Sequence, residues 1–212
     1  NWYLVISNHQ SWVDIFVLQR CLHGRIPLLK FFIKQQLIWV PFLGLAWWAL
    51  DFPFMKRYSK SYLEKHPEKK GQDLETTRKS CEKFQQIPTS VTNFLEGTRF
   101  TAIKHQQQSS PYKHLLKPKA GGMAFAMSVM GKQFDSVLDV TIHYPNGAPS
   151  FIGFLKGELA GCQVYIERLV INENLIDGDY QNDSQYRQDF QQWVDQIWQA
   201  KDARLDALKH RP

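Results

Sequence analysis

A histidine and an aspartate near the start of the chain have the types and spacing of a general-base pair. His9 and Asp14 are separated by four residues in the segment NHQSWVD. The apolar, β-branched residues 2–7 predict a strand, and Ser11 predicts the N-cap of a helix that ends near Leu22. His9 therefore falls in a strand-to-helix loop, where open α/β sheets bind ligands. A carboxylate in the first helical turn can hold one imidazole nitrogen and leave the other to take a proton from an alcohol.

The same residues also match a purely structural role. Ser11 and Asp14 have the spacing of a capping box, in which the carboxylate accepts backbone N–H groups and stabilises the helix start. In that case His9 is an ordinary polar loop residue. A histidine and an aspartate at this spacing also recur by chance, so the spacing alone leaves both interpretations open.

Three further motifs extend the pattern along the chain. FMKR occupies residues 54–57, FLEGTR occupies residues 94–99, and VTIHYP occupies residues 140–145. Together with NHxxxxD at residues 8–14, they resemble the signature of the PlsC-type glycerolipid acyltransferases, which acylate lysophosphatidic acid. The resemblance covers nearly the whole chain, which is most similar to a bacterial inner-membrane branch related to the lysocardiolipin acyltransferases.

This resemblance implies roles for individual residues. His9 and Asp14 would be the catalytic pair. The residues that it assigns to the acceptor and its phosphate are Arg99, Glu96, Gly97, Thr98, Lys56 and Arg57. Arg99 would bind the phosphate through its planar donor fork, and Glu96 with Gly97 would order the pocket. Many relatives carry an isolated arginine in the second motif, so either Lys56 or Arg57 could make that contact.

The motif EGTR has a simpler interpretation when its residue types are taken alone. Residues 96–99 could form a β-turn that carries a surface ion pair. A second candidate phosphate site follows at Lys119, Gly121 and Gly122, just before a helix predicted from about Met123 to Met130. Free N–H groups at such a helix start, together with a lysine, bind anions. This segment could bind donor phosphates or could merely close a loop.

Residues 37–50 form an apolar run without a single charge. Three tryptophans lie in it: Trp39, Trp47 and Trp48. The run is interrupted by Pro41 and Gly44 and is too short to span a bilayer. It could be a buried core segment or a membrane-contacting surface, and clustered tryptophans favour the lipid interface. The lysine-rich residues 58–70 would suit an anionic leaflet or an ordinary solvated face.

Composition narrows the class of protein. Of the 212 residues, 43% are apolar, which excludes a disordered chain, and the net charge of +6 favours acidic partners. Nucleic acid is not expected, because there is neither a zinc-finger spacing nor an arginine-rich arm. The three cysteines, Cys21, Cys81 and Cys162, are too far apart for a paired framework or a metal site, and are expected to be reduced. A serine hydrolase is disfavoured because no G-x-S-x-G motif is present.

The order of predicted elements indicates an α/β fold with a mixed, largely parallel sheet flanked by helices. Strands are predicted at residues 2–7, 26–32, 89–95 and 136–144, with edge strands at residues 151–155 and 162–171. Helices are predicted at residues 11–22, 72–86, 123–130 and 183–209. The last one could pack on the sheet or lie on a membrane, and packing on the sheet is favoured. The polar residues 101–117 predict a mobile loop. With no internal repeat, residues 1–212 are expected to form one domain.

The resemblance implies direct acyl transfer without a cofactor or metal. The acyl group of a thioester, acyl-CoA or acyl-ACP (acyl carrier protein), would pass to the free hydroxyl of a lysophospholipid acceptor as His9 removes its proton. Membrane segments are expected before Asn1, in a bacterial inner membrane with the catalytic domain facing the cytoplasm. Two rivals stay open: a thioesterase or lipid hydrolase that uses the same pair on water, and a lipid-binding module without catalysis. The oligomeric state is not predictable from the sequence.

Overall fold

The fold is an open sheet with helices on both faces. The computed structural model describes residues 1–31, 33–34, 38–40, 43–50, 52, 54–55, 66, 87–176, 178–180 and 182–209. The strands are β1 (Trp2–Ser7), β2 (Leu29–Phe31), β3 (Ile33–Lys34), β4 (Phe54–Met55), β5 (Ser90–Phe94), β6 (Phe134–His143) and β7 (Gln163–Leu169). The helices are α1 (Val13–Leu22), α2 (Leu43–Ala49), α3 (Ala102–Gln107), α4 (Gly121–Met130), α5 (Phe151–Leu155) and α6 (Ser184–Lys209). Short 3-10 turns cover Gly131–Gln133 and Glu173–Leu175.

The main sheet confirms the predicted mixed, largely parallel topology. Within the described residues it has five strands in the order β2-β5-β1-β6-β7, and β3 pairs separately with β4. β1 is parallel to both β5 and β6, β2 is parallel to β5, and only β7 runs antiparallel at its edge. The carboxyl ends of β1, β5 and β6 therefore lie at the same edge of the sheet.

The central strand β1 divides the core into two layers. Leu4 and Ile6 face α4 and α6, whereas Val5 faces α1 on the opposite side of the sheet. All three side chains are fully buried, as expected for a strand that is covered on both faces. The apolar run that predicted β1 therefore reflects its position between two helical layers.

Helix α6 packs on the sheet, as its pattern predicts. Its buried residues are Tyr186, Phe190, Val194, Ile197, Trp198, Lys201 and Leu205. The indole Nε1 of Trp198 donates to the carbonyl of Leu116 at 3.0 Å, and Nζ of Lys201 donates to the carbonyl of Val140 at 2.6 Å. Among the residues described, no helix combines the length and apolar character that crossing a bilayer requires.

The segment predicted as an edge strand at residues 151–155 is instead helix α5. The side chain of Ser150 caps the helix by accepting the N–H of Gly153 at 2.9 Å. Gly157, with φ of +79°, ends the turn in the left-handed conformation that glycine adopts readily. A short apolar run fits either element, and here the two flanking residues decide for the helix.

The prediction of a mobile loop at residues 101–117 is also wrong. Thr101 caps α3 by accepting the N–H of Lys104, and the following residues run along α6. The backbone N–H groups of Lys113 and His114 both donate to Asp202 at 2.8 Å. Tyr112, Leu115 and Leu116 are buried. The polar composition of this segment concealed contacts that are made with a helix far away in the sequence.

Smaller differences concern where elements begin. α1 begins at Val13 with Trp12 at the N-cap, one residue later than Ser11 predicts. The second strand is shorter than residues 26–32, and α4 begins at Gly121 rather than near Met123. The helix predicted at residues 72–86 and the lysine-rich residues 58–70 lie outside the described residues, apart from His66.

Candidate active site

Three parallel strands bring the predicted catalytic residues to one edge of the sheet. The last residue of β1, Ser7, lies beside Phe94 of β5 on one side and Val140 of β6 on the other. The chain leaves β1 toward His9 and leaves β5 toward Glu96, so both residues lie beyond the carboxyl ends of neighbouring strands. This arrangement is what the sequence predicts if the strands run in the same direction.

The His9 imidazole is oriented by Asp14. Its Nδ1 lies 2.9 Å from Oδ2 of Asp14, and the ring stacks on Phe94 with centroids 4.0 Å apart. Because a carboxylate only accepts hydrogen bonds, Nδ1 carries the proton of the neutral ring and Nε2 is the basic nitrogen. The imidazole side chain is 12% exposed, so its outer edge is accessible from one side. This is the geometry of a general base that is held by a carboxylate.

Asp14 and Ser11 also make the contacts of a capping box around Trp12, the residue at the N-cap of α1, so the two sequence interpretations hold together. Its Oδ2 accepts the backbone N–H of Gln10 at 2.6 Å and that of Ser11 at 2.9 Å. The hydroxyl oxygen of Ser11 in turn accepts the N–H of Val13 at 3.2 Å. The carboxylate is fully buried and satisfies the helix start while it holds His9.

Tyr144 is a site residue that sequence reasoning missed. Its hydroxyl donates to Oδ1 of Asp14 at 2.7 Å. Burial, together with the neighbouring Asp14 carboxylate, raises the pKa of Tyr144, so that the hydroxyl remains a proton donor. The available signal was its position directly after the strand in the fourth motif, where the chain leaves β6 beside β1.

Glu96 joins two loops rather than facing solvent. Its Oε1 accepts the N–H of His9 at 2.8 Å, and its Oε2 accepts the N–H of Leu116 at 3.0 Å. Burial raises the pKa of Glu96 to about 7, although these two backbone bonds oppose the shift. A further backbone bond, from the N–H of Phe100 to the carbonyl of His9, measures 2.7 Å. The loop that carries Arg99 is therefore fastened to the loop that carries His9.

The strand end of β6 is tied to the same loops. The side chain of Asn8 donates to the carbonyl of Ile142 and accepts its N–H, both at 2.9 Å. Gln10 adds a bond from Nε2 to the same carbonyl at 2.9 Å. The side chain of Asn8 thus pairs with β6 as a neighbouring strand would. This pairing fixes the position of His9 relative to the end of the sheet.

Arg99 is exposed at the rim of the site. Its guanidinium lies 5.3 Å from the centroid of the Trp12 ring, a cation–π distance. Lys104, which sequence reasoning did not select, donates from Nζ to the hydroxyl of Thr98 at 2.8 Å and to the carbonyl of Arg99 at 3.0 Å. Its position one turn into α3 places it back over the EGTR motif. Two cations therefore flank this rim.

The side chain of Lys119 lies against the turn that the EGTR motif forms. A Cβ added to Gly97, whose φ is +66°, would lie 3.4 Å from Nζ of Lys119. Gly121 and Gly122 fall within the first turn of α4, and a Cβ on Gly122 would approach the Asn93 amide to 2.8 Å. The absence of a side chain at Gly122 thus leaves room for the Asn93 amide against α4. The role of these three residues in binding donor phosphate stays a prediction.

The tryptophan-rich run is largely exposed where the structure describes it. The exposed fractions are 86% for Trp39 and 63% for Trp48, whereas Trp47 is half-buried. A buried core segment is therefore excluded for Trp39 and Trp48. Lys56 and Arg57 lie outside the described residues, so their contribution to the acceptor site stays a prediction.

A series of stacked rings connects this region to the catalytic histidine. Phe52 follows α2, and its backbone N–H donates to the carbonyl of Trp47 at 2.9 Å. Its ring stacks on Phe31 at 6.5 Å, and Phe31 stacks on Phe94 at 5.7 Å. Phe94 in turn stacks on His9. These rings form an apolar wall between α2 and the imidazole.

Comparison with known proteins agrees with this geometry. The chain is 26% identical to 1-acyl-sn-glycerol-3-phosphate acyltransferase delta of Homo sapiens over 214 residues, which is 94% of this chain and 51% of that protein. It is 26% identical to 1-acyl-sn-glycerol-3-phosphate acyltransferase gamma of Mus musculus over 222 residues, which is 98% of this chain and 54% of that protein. The chain thus spans about half the length of these curated relatives.

The match to a family model is independent of any single relative. The model described as Acyltransferase matches residues 1–144, a range that begins before the histidine loop and ends at Tyr144. It includes His9, Asp14 and the EGTR motif, which the fold brings together at one edge of the sheet. The chain therefore belongs to the acyltransferase family.

Proposed function

We propose that this protein is a membrane-associated lysophospholipid acyltransferase. It transfers a fatty acyl group from a thioester donor, acyl-CoA or acyl-ACP, to the free hydroxyl of an acceptor that resembles lysophosphatidic acid. The relatives named 1-acyl-sn-glycerol-3-phosphate acyltransferase support this acceptor class. The observation that carries the proposal is the 2.9 Å contact between Nδ1 of His9 and Asp14, which leaves Nε2 as a base at the open edge of the sheet.

The reaction needs only side chains of this chain and its two substrates. Nε2 of His9 takes the proton of the acceptor hydroxyl while that oxygen attacks the thioester carbonyl. The new C–O ester bond forms and the C–S bond breaks. The departing thiolate then receives the proton from the imidazolium, which returns the base to its neutral form. Buried Asp14 stabilises the transient positive charge on the ring.

The cations at the rim support an acceptor that carries a phosphate. Arg99 is exposed beside Trp12, and its planar fork suits a phosphate group. Lys104 holds the backbone of Arg99 and the Thr98 hydroxyl, so that the motif is preorganised rather than free. Glu96 and Gly97 set the conformation of this turn. Glu96 binds the neighbouring loop, and Gly97 adopts a left-handed backbone conformation.

We place the site at a membrane surface. Exposed Trp39 and Trp48 suit the interfacial layer of a bilayer, where an amphipathic ring meets both water and lipid. The wall of rings from Phe52 to Phe94 would shield the thioester from water as the acyl chain approaches His9. We assign the full-length protein to a bacterial inner membrane, with this domain on the cytoplasmic side and membrane segments before Asn1.

The test is a product assay on the purified full-length protein. Lysophospholipids with different headgroups are supplied with acyl-CoA or acyl-ACP, and products are identified by mass spectrometry. We expect diacylated phospholipid to form only when donor and acceptor are both present. Release of free fatty acid from the donor without an acceptor would instead identify a thioesterase. Membrane binding without any turnover would identify a lipid-binding module.

A further inference from the structure

The hydroxyl of Tyr144 donates to Asp14, and neither the family resemblance nor the proposed reaction gives this contact a role. We propose that Tyr144 is a positioning residue for the general base, which acts by sharing the Asp14 carboxylate with His9. The inference rests on the proposed function, because it concerns the same histidine and aspartate. It adds a third member, supplied by a different strand.

The two oxygens of Asp14 are bound from opposite sides. Oδ2 accepts three donors, namely the N–H groups of Gln10 and Ser11 and Nδ1 of His9, at 2.6 to 2.9 Å. Oδ1 accepts the Tyr144 hydroxyl at 2.7 Å. Rotation of the carboxylate would break bonds on both oxygens, so its plane is fixed. Since Asp14 is fully buried, water cannot readily replace the tyrosine.

The local sequence holds Tyr144 in place. Leu138, Val140, Ile142 and Tyr144 alternate along β6 and its end, and all four belong to the cluster packed on α1. Pro145 follows Tyr144 directly and restricts its backbone to extended conformations. The two bonds between Asn8 and Ile142 fix the strand end against the histidine loop. The hydroxyl is therefore delivered to Asp14 by the sheet itself.

The bond from the Tyr144 hydroxyl to Asp14 affects how strongly Asp14 stabilises the protonated form of His9. A hydroxyl that donates to a carboxylate draws negative charge toward itself, which weakens the pull of that carboxylate on the imidazolium. Without the hydroxyl, Asp14 would hold the protonated ring more tightly, and less of the free base would be present at neutral pH. Tyr144 thus keeps His9 available as a base.

Other titratable groups around the pair are the same in wild type and variant. Glu96, at the end of β5, interacts with Asp14, and Lys201 of α6 interacts with Glu96. Cys162, in the segment before β7, interacts with Asp14, with Tyr144 and with Cys21 of α1. The pKa of Cys162 is raised by burial, so the thiol is neutral near pH 7. Glu96 titrates close to neutrality, and its effect cancels when two proteins are compared at each pH.

The experiment compares Tyr144→Phe with Tyr186→Phe in the full-length protein. Tyr186 provides the control because its hydroxyl is also buried but donates to the carbonyl of Leu175 in the other layer of the core. The imidazole of His9 is titrated by NMR with labelled histidine, and its signal is assigned by its loss in His9→Ala. The pH profile of kcat/KM for the acceptor is recorded in parallel.

We expect Tyr144→Phe to raise the proton affinity of the His9 ring about threefold. The acidic limb of the profile should move to higher pH by about 0.5 unit, and kcat/KM at pH 7 should fall by up to about threefold. Tyr186→Phe should change neither quantity. If Tyr144→Phe does not fold, 3-fluorotyrosine at position 144 replaces it. This stronger donor has nearly the same volume and should shift both quantities in the opposite direction.

Each outcome is decisive for one of the two proposals. An unchanged His9 titration and an unchanged acidic limb in the position-144 variants would overturn the positioning role, whatever happens to stability. Full activity of His9→Ala would instead overturn the proposed reaction. The NMR titration needs no turnover, so it still decides whether Tyr144 acts on His9 through Asp14.

Discussion

The carboxyl group of Glu96 accepts the backbone N–H of His9 at 2.8 Å, although the two residues are 87 positions apart. Its other oxygen accepts the N–H of Leu116 at 3.0 Å. Together with the bond from Phe100 to the His9 carbonyl, this links three loops around one buried carboxyl. The base and the cationic rim are thus held at a fixed separation by backbone contacts.

Glu96 should make stability depend on pH. The folded protein holds this carboxyl protonated up to about pH 7, whereas the unfolded chain ionises it near pH 4.5. Its contribution to the free energy of unfolding therefore falls as pH rises between these values, by about 3 kcal/mol. Glu96→Gln stays neutral, so urea unfolding of wild type minus variant should show this fall and then level off. A constant difference across the range would contradict the buried, raised-pKa carboxyl.

His9→Ala should remove transfer activity and leave the fold intact. Loss of a positioned general base lowers kcat by about 10²- to 10⁴-fold. The measurement is product formation by mass spectrometry, with circular dichroism as the check on folding. His23→Ala is the control, because His23 is exposed at the far end of α1. Retention of activity by His9→Ala would exclude the imidazole from the chemistry.

Asp14→Asn should cost both stability and activity, because Asp14 caps α1 and orients His9. The amide oxygen can still accept backbone N–H groups, so we expect a loss of about 1 to 2 kcal/mol in the free energy of unfolding. The neutral amide stabilises an imidazolium poorly, so kcat should fall about 10²- to 10⁴-fold. Urea titration and steady-state kinetics measure the two effects.

Asp183→Ala, which removes a helix cap elsewhere in the chain, is the control for Asp14. Asp183 caps α6 by accepting the N–H groups of Gln185 and Tyr186 at 2.9 and 3.0 Å. This variant should lose stability to a similar extent but keep its kcat. If both variants lose stability and neither loses activity, Asp14 is only a helix cap.

Arg99→Ala should weaken binding of the acceptor specifically. Removing a guanidinium that binds phosphate should raise the apparent KM of the lysophospholipid about 10- to 100-fold, with the KM of the donor little changed. Initial rates with each substrate varied in turn separate the two constants. Arg25→Ala removes an exposed arginine beyond the end of α1 and should change neither. An equal rise in both constants would argue against an acceptor phosphate at Arg99.

Trp39 and Trp48 should contact lipid in the full-length protein. Vesicles that contain brominated phospholipids quench indoles at the level of the headgroups. Trp39→Phe and Trp48→Phe should each remove part of the quenched fluorescence. Trp198→Phe removes a fully buried indole and should leave the quenched part unchanged. Equal quenching in all three variants would contradict a membrane-contacting surface at residues 39–48.

The central strands of the sheet could be predicted because they are buried on both faces. β1 and β6 appear as largely apolar runs, and α6 shows its helical period clearly. The errors occur where a contact distant in sequence decides the structure. Residues 101–117 are polar, yet Leu115 and Leu116 are buried beside α6, and local composition does not contain that information. The short apolar run at residues 151–155 fits either a strand or a helix, and the flanking Ser150 and Gly157 decide for the helix.

The candidate site could be predicted in part. His9, Asp14 and Arg99 have side chains whose chemistry is informative by itself, and their motifs strengthened the prediction. Tyr144 and Lys104 were missed because tyrosine and lysine are common in other roles, and their function depends on partners 130 and 6 residues away. The capping-box interpretation of Asp14 does not exclude the catalytic one, since the same carboxylate holds His9 and accepts the backbone N–H of Ser11.

The strand order has a consequence for synthesis of the chain. In the sheet, Tyr3 of β1 lies between Ser90 and Ser136, so both neighbours of the central strand are translated long after it. At about 5 to 20 residues per second, β1 would wait roughly 7 to 27 s for the second one. Until β5 is made, the nascent chain carries an apolar strand with two open edges, and until β6 is made one edge stays open. We expect ribosome-associated chaperones to hold it until β6 emerges.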